Sequence, residues 1–176
     1  PGLATSTTTE GAPVAAGSGT APTTSAATGF ADRASAIAAS GRVAIDTPSL
    51  VGSINLTGGR LDDLQLKKYT ETLAEDSPII TLLTPSGAPS AYYVEQGWAA
   101  PAGSNVAVPG PATVWLVDAN AKLTDSTPVT LSWDNGNGVV FKRSFAIDPN
   151  YLFTVTQSIE NNSGGDLALF PYSRIA

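Results

Sequence analysis

From Arg42 onward, apolar and polar residues alternate in short runs, and that period of two predicts β-strands. Val43 and Ile45 alternate with Arg42, Ala44 and Asp46. After the break at Thr47-Pro48, Leu50, Gly52, Ile54 and Leu56 alternate with Val51, Ser53, Asn55 and Thr57. Gly58-Gly59 signals a turn or bulge. Arg60 to Tyr69 fits helix through Leu61, Leu64 and Lys68, and strand through Leu64 and Leu66. The preceding glycines and the surrounding β signals favour strand. Ile79 to Leu83 and Tyr92 to Trp98 read as further strands, and residues 99–112, with their prolines and glycines, as a loop. Thr113 to Val117 reads as a short strand of β-branched and aromatic residues.

The last third carries the clearest pattern. Val129, Leu131 and Trp133 alternate with Pro128, Thr130 and Ser132. Asp134-Asn135-Gly136-Asn137-Gly138 then predicts a hairpin loop, because Gly and Asn tolerate positive φ. The returning strand places Val139, Phe141, Phe145 and Ile147 on one face, interrupted by Arg143. After the turn at Asp148-Pro149-Asn150, Tyr151, Phe153, Val155 and Ile159 line one face. Leu152, Thr154, Thr156, Ser158 and Glu160 lie opposite. Asn161 to Gly165 reads as a turn and Asp166 to Tyr172 as a last strand. Short strands joined by tight turns predict an all-β, antiparallel sandwich over residues 42–176.

The start of the chain differs. Of residues 1–29, all but Leu3, Glu10 and Val14 are Ala, Thr, Ser, Gly or Pro. Such a stretch has too little apolar surface to offset the entropy of ordering itself. Residues 1–30 therefore read as a low-complexity flexible tether, roughly 30 Å across as a coil. Residues 31–41 read as a short helical turn or linker, with Asp32 as its cap.

Composition narrows the function classes. The net charge of −6 argues against a general field for nucleic acid or anionic lipid. The 176 residues include no Cys, His or Met. Without His or Cys, neither Ser-His-Asp nor Cys-His catalysis is available. Thiolate metal sites are excluded too. The absence of Met is expected of a processed or excised chain, whose targeting segment would lie elsewhere in a parent protein. No run approaches the roughly 20 apolar residues of a membrane span.

The remaining candidates for chemistry are weak. Asp134 to Gly138 superficially resembles a calcium loop but lacks alternating carboxylates and a closing Glu. Asp62 and Asp63 are adjacent carboxylates. On a strand they are expected to point to opposite faces, as a solvated polar stretch rather than an acid/base pair. Trp98, Trp115 and Trp133, with Tyr92 and Tyr93, offer either an aromatic platform for sugar or peptide, or ordinary core. Asn55-Leu56-Thr57 and Asn161-Asn162-Ser163 fit the glycosylation pattern, which carries no weight at this length. No catalytic, cofactor or metal residue is assigned, and binding residues stay unassigned.

One resemblance goes further. Arg42-Val43-Ala44-Ile45-Asp46-Thr47-Pro48 is followed by Gly52-Ser53-Ile54-Asn55-Leu56 and by Gly58-Gly59-Arg60-Leu61-Asp62-Asp63-Leu64. Further on come Leu82-Leu83-Thr84-Pro85-Ser86-Gly87-Ala88-Pro89 and Tyr92-Tyr93, then Phe141 to Phe145 and Tyr151 to Asn161. In this order and spacing the pieces resemble the periplasmic domain of YidC-type membrane-protein insertases, in their alphaproteobacterial form. The resemblance covers about residues 31–176. It implies a galactose-mutarotase-like supersandwich of which this chain is the N-terminal part. It implies a non-enzymatic scaffold or interaction surface at the periplasmic face of the bacterial inner membrane. The insertase activity would lie in membrane helices outside this chain. Implied partners are SecD and SecF of the Sec translocon and nascent membrane proteins, with no cofactor and no nucleic acid. The other readings are a carbohydrate- or peptide-binding sandwich of an exported protein and a cell-surface sandwich on a stalk. Half a sandwich is also expected to leave open edges, favouring self-association or strand swapping.

Overall fold

The computed structural model describes residues 29–176. The reading of residues 1–30 as a tether falls almost wholly outside them. The described part opens with helix α1 (Arg33–Ala38), whose N-cap Asp32 accepts a hydrogen bond from the Ser35 backbone N–H. Only Ala36 is buried on it, which suits a short helix held by its surroundings rather than by its own propensity.

The rest is strand. Arg42–Asp46 (β1), Leu50–Asn55 (β2), Arg60–Thr70 (β3) and Ile79–Leu83 (β4) come first. Val94–Ala99 (β5), Lys122–Leu123 (β6), Val129–Asp134 (β7), Val139–Ile147 (β8), Phe153–Asn161 (β9) and Phe170–Ile175 (β10) follow. One sheet has the order β10-β5-β3-β2-β1-β6, with β4 also on β3, and the other the order β7-β8-β9. Every pairing between these strands is antiparallel except β1 with β6. Val43, Ile45, Ile54 and Leu61 from the first sheet share one buried cluster with Val129, Leu131, Phe141 and Phe145 from the second. The two sheets thus close over a common core, as the alternation predicts.

The differences from the sequence reading have local causes. Thr113 to Val117 is not a strand. Val114 bridges Thr57, next to the first sheet, while Leu116 bridges Ser132 in the second. The segment crosses between the sheets, so neither ladder can continue along it. Trp115 points into the core at 1 % exposure between two exposed neighbours. The fifth strand starts at Val94, not Tyr92, which makes a single bridge to Thr84. The last strand starts at Phe170, not Asp166, because its partner β5 ends opposite it at Ala99. The two-residue β6 is too short for any alternation to mark it.

Gly52 shows how tightly β2 and β3 meet. A Cβ there would lie 2.1 Å from the Asp63 carbonyl oxygen, a backbone atom with little room to move. Gly52→Ala is expected to cost at least the upper end of the ~1–3 kcal/mol typical of overpacking, measured by urea denaturation. Unchanged stability would contradict this packing.

Asp46, at the end of β1, bonds Lys67 of β3 and Lys122 of β6. The Lys122 and then the Lys67 ammonium groups hold its carboxyl down at about 2, below the usual 3.8. A depressed carboxylate stabilises the fold above its unfolded pKa and loses that contribution as pH falls through its folded one. The gap in Tm between wild type and Asp46→Asn is therefore expected to be full above about pH 4. It should close as the pH falls toward about 2 and shrink in salt. A gap independent of pH would refute the assignment.

Candidate functional site

The alternation that faces Phe141 and Phe145 inward on β8 also turns Arg143 inward, where it is 1 % exposed. Its Nη1 donates to the carbonyls of Gly59 (2.7 Å) and Gly58 (3.4 Å), and its Nη2 to that of Gln96 (2.5 Å). The guanidinium lies over the rings of Trp115, at 4.8 Å, and Trp98, at 5.6 Å. Burial lowers its pKa to about 10, so it stays charged at neutral pH. Gly58 and Gly59 have φ of 80° and 60°, a region that glycine enters without cost. A Cβ on Gly59 would meet Arg143 Nη1 at 2.8 Å and Trp115 Nε1 at 2.9 Å. The sequence presents Arg143 only as a gap in an apolar face; the structure makes it the link between the sheets.

Beside it lies Glu95, 3 % exposed. Arg60 Nε donates to it at 2.8 Å, Arg174 pairs with it at 3.1 Å and the Tyr172 hydroxyl donates to it at 3.2 Å. Burial, and then the charge of Glu95, push the Tyr172 phenol up. In this cluster one buried carboxylate is engaged by two guanidinium groups and a phenol.

Asp62 and Asp63 correct the expectation of a solvated stretch, being 1 % and 4 % exposed. A bulge causes this. Ser53 pairs with Asp63 and Ile54 with Leu61, so Asp62 is the extra residue and the alternation breaks there. Both carboxylates enter one network instead of opposite faces. Arg42 bonds Asp62 and donates to Ser53 Oγ at 2.7 Å, and Ser53 Oγ donates to Asp63 at 2.6 Å. Asn55 also donates to Asp62, and Arg33 of α1 pairs with Asp63. Burial raises the Asp62 pKa against the opposing pull of Arg42. The network clamps α1 to the first sheet.

Of the two readings of the aromatic residues, the structure places Trp98, Trp115 and Tyr93 in the core. Trp98 and Trp115 stack at 6.3 Å inside the core, and Trp98 and Trp133 pack on Phe141 at 5.1 and 5.7 Å. Tyr93 is buried beneath the Arg60 guanidinium, while Tyr92 is half exposed. Trp98, Trp115 and Tyr93 serve core packing, and Trp133 packs against it partly buried. The Asp134 to Gly138 segment is the expected hairpin loop: Asp134 and Asn135 side chains accept from the backbone N–H groups of Gly136 and Asn137. Among the described residues, no group of three His, Cys, Asp or Glu is placed to hold a metal ion.

What the surface does offer is apolar. A groove of about 340 Å³ runs between the sheets, lined by Leu50, Leu64, Leu66, Tyr69, Leu82 and Phe153. Tyr151, in the left-handed region at φ 71°, closes one end. There a more polar hollow of about 120 Å³ adds Lys68, Asp125 and Asp148. Nearby β9 pairs only with β8 among the described strands, leaving its other edge open. No sequence signal marks the groove, because its walls come from four separate strands and the turn at Tyr151.

A sequence model of the YidC periplasmic domain matches residues 42–176. The chain belongs to this family. The insertase YidC of Ruegeria pomeroyi is 53 % identical over 136 residues, covering 77 % of this chain and 22 % of that protein. Mesorhizobium japonicum YidC is 52 % identical over 145 residues, 82 % of this chain and 24 % of its own length. Brucella suis YidC is 53 % identical over 143 residues, 81 % and 23 % respectively. The chain thus spans about a quarter of the curated YidC proteins it matches, each of which is named a membrane protein insertase. Among the described residues, no helix is long and apolar enough to cross a membrane.

For this YidC domain, Arg143→Leu is expected to lose roughly 3–5 kcal/mol, since three buried carbonyls lose their donor. Arg143→Lys should recover only part, as an ammonium cannot fork between them. Urea denaturation of the three proteins reads this out; equal stability of Arg143→Leu and wild type would refute the keystone role.

Proposed function

We propose that this chain is a non-catalytic periplasmic part of a membrane-protein insertase, acting as scaffold and interaction surface at the periplasmic face of the inner membrane. The observation that carries this reading is the family match over residues 42–176. The interior supports it as well. The buried ionic groups of Arg42, Arg60, Asp62, Asp63, Glu95 and Arg143 are engaged with one another, with Ser53 and Arg33, or with the backbone. In this reading the insertion of membrane proteins is the work of the full-length protein. Residues 1–30 are, in this reading, a tether, and 31–41 are the short helical turn or linker that leads into the strands. The partners are SecD, SecF and nascent membrane proteins, and the groove at Tyr69 and Leu82 is the surface offered to them. The carbohydrate-binding alternative loses its platform with Trp98 and Trp115 in the core. As an isolated piece, the chain is inferred to self-associate through the open edge of β9.

A photo-crosslinking residue at Leu82 in the full-length insertase tests this. The expected result is adducts with SecD, SecF or a nascent membrane protein, absent when the crosslinker replaces Lys142 on the second sheet. Equal labelling from both positions, or none from Leu82, would overturn the groove's role. Light scattering on the isolated chain is expected to give a mass above 17.9 kDa; a stable monomer would end the self-association reading.

A further inference from the structure

Three side chains that each carry a buried, unpartnered polar atom line one small cavity. Arg143 Nε, Trp115 Nε1 and Gln96 Oε1 are all buried, and none meets a hydrogen-bond partner among the described residues. Arg143 and Trp115 are each 1 % exposed and Gln96 is 8 %. The other guanidinium nitrogens of Arg143 are engaged with the Gly58, Gly59 and Gln96 carbonyls, so Nε–H is its remaining donor. All three side chains line a cavity of about 10 Å³, whose wall also includes Glu95 and Tyr172. An unpaired buried donor or acceptor costs about 1–3 kcal/mol, and folded proteins seldom leave several together.

We propose that this cavity is a binding site for a single internal water molecule, held by the Trp115 indole N–H, the Arg143 Nε–H and the Gln96 side-chain carbonyl. Volume decides the size of the ligand. About 10–15 Å³ is what one water needs, and a carboxylate, phosphate or sugar is far larger. The donor set decides its polarity. An anion could take the two N–H groups but would face the Gln96 oxygen and the Glu95 carboxylate. A metal ion would face a guanidinium and an indole N–H. Water accepts from both donors and gives one O–H to Gln96, reaching the three bonds usual for buried water. It joins β5, which carries Gln96, to β8, which carries Arg143, and both to the crossing segment that carries Trp115. It thereby adds a bridge to the direct contacts that Arg143 already makes with Trp98, Trp115 and the Gln96 carbonyl.

Magnetisation transfer from water to the Trp115 indole proton of the ¹⁵N-labelled chain tests this. The signal is assigned by its disappearance in Trp115→Phe or by sequential connectivity if that variant does not fold. The wild type is expected to show a direct cross-peak with the sign of a long-lived bound water. That peak should persist in Tyr172→Phe, which removes relay through the nearby hydroxyl, and weaken or vanish in Gln96→Leu. No cross-peak in the wild type, or one lost in Tyr172→Phe, would overturn the proposal. So would a peak that changes when chloride is exchanged for sulfate, which would point to an anion.

Discussion

One buried cation organises this molecule. The Arg143 guanidinium sits where a domain of this size would ordinarily place an apolar side chain, and stripping its water has a real cost, seen in its lowered pKa of about 10. That cost is offset by two indole faces and by carbonyls from separate parts of the first sheet. Other features follow from it. Gly59 is needed so that the backbone can come close enough to accept its hydrogen bond, while a Cβ on Gly58 would meet the Pro111 carbonyl oxygen. Trp115 must be carried inward by a segment that crosses between the sheets, which is why that segment cannot be a strand.

Much of this architecture is legible in the alternation, because each half-buried strand has one face that must avoid water. β1, β2, β7, β8 and β9 read correctly for that reason, β3 reads from the glycines before it and the strands around it, and the loop after β7 reads from its Asn and Gly residues. The failures share a cause: they are places where a neighbour distant in sequence overrides the local pattern. A bulge opposite Ser53 and Ile54 gathers Asp62 and Asp63 into a network with Arg42. The end of β5 sets the start of β10. Trp98 and Trp115 are held in the core by the cation they enclose, and Trp133 packs on Phe141.

The candidate site was less legible than the fold. The absence of His and Cys set the limits on chemistry from the outset, and the ordered strings from Arg42 to Leu64 and from Leu82 to Tyr93 pointed to the family. The apolar groove had no such marker. Leu50, Leu64, Leu82 and Phe153 each look like ordinary strand residues, and only the packing of two sheets leaves them lining a common hollow. Two sheets tied through Arg143, with an open apolar surface beside them, suit the proposed role of a part that positions and contacts other proteins.

The central claim is that the two sheets form one cooperative unit pinned through Arg143. Native-state hydrogen exchange tests it most directly. The slowest amides of β2 and β3 and those of β7 and β8 should open with the same free energy, equal to that of global unfolding. If the β7-β8-β9 sheet instead opens at a clearly lower free energy than the first, the sheets are separable and Arg143 is not what holds the fold together.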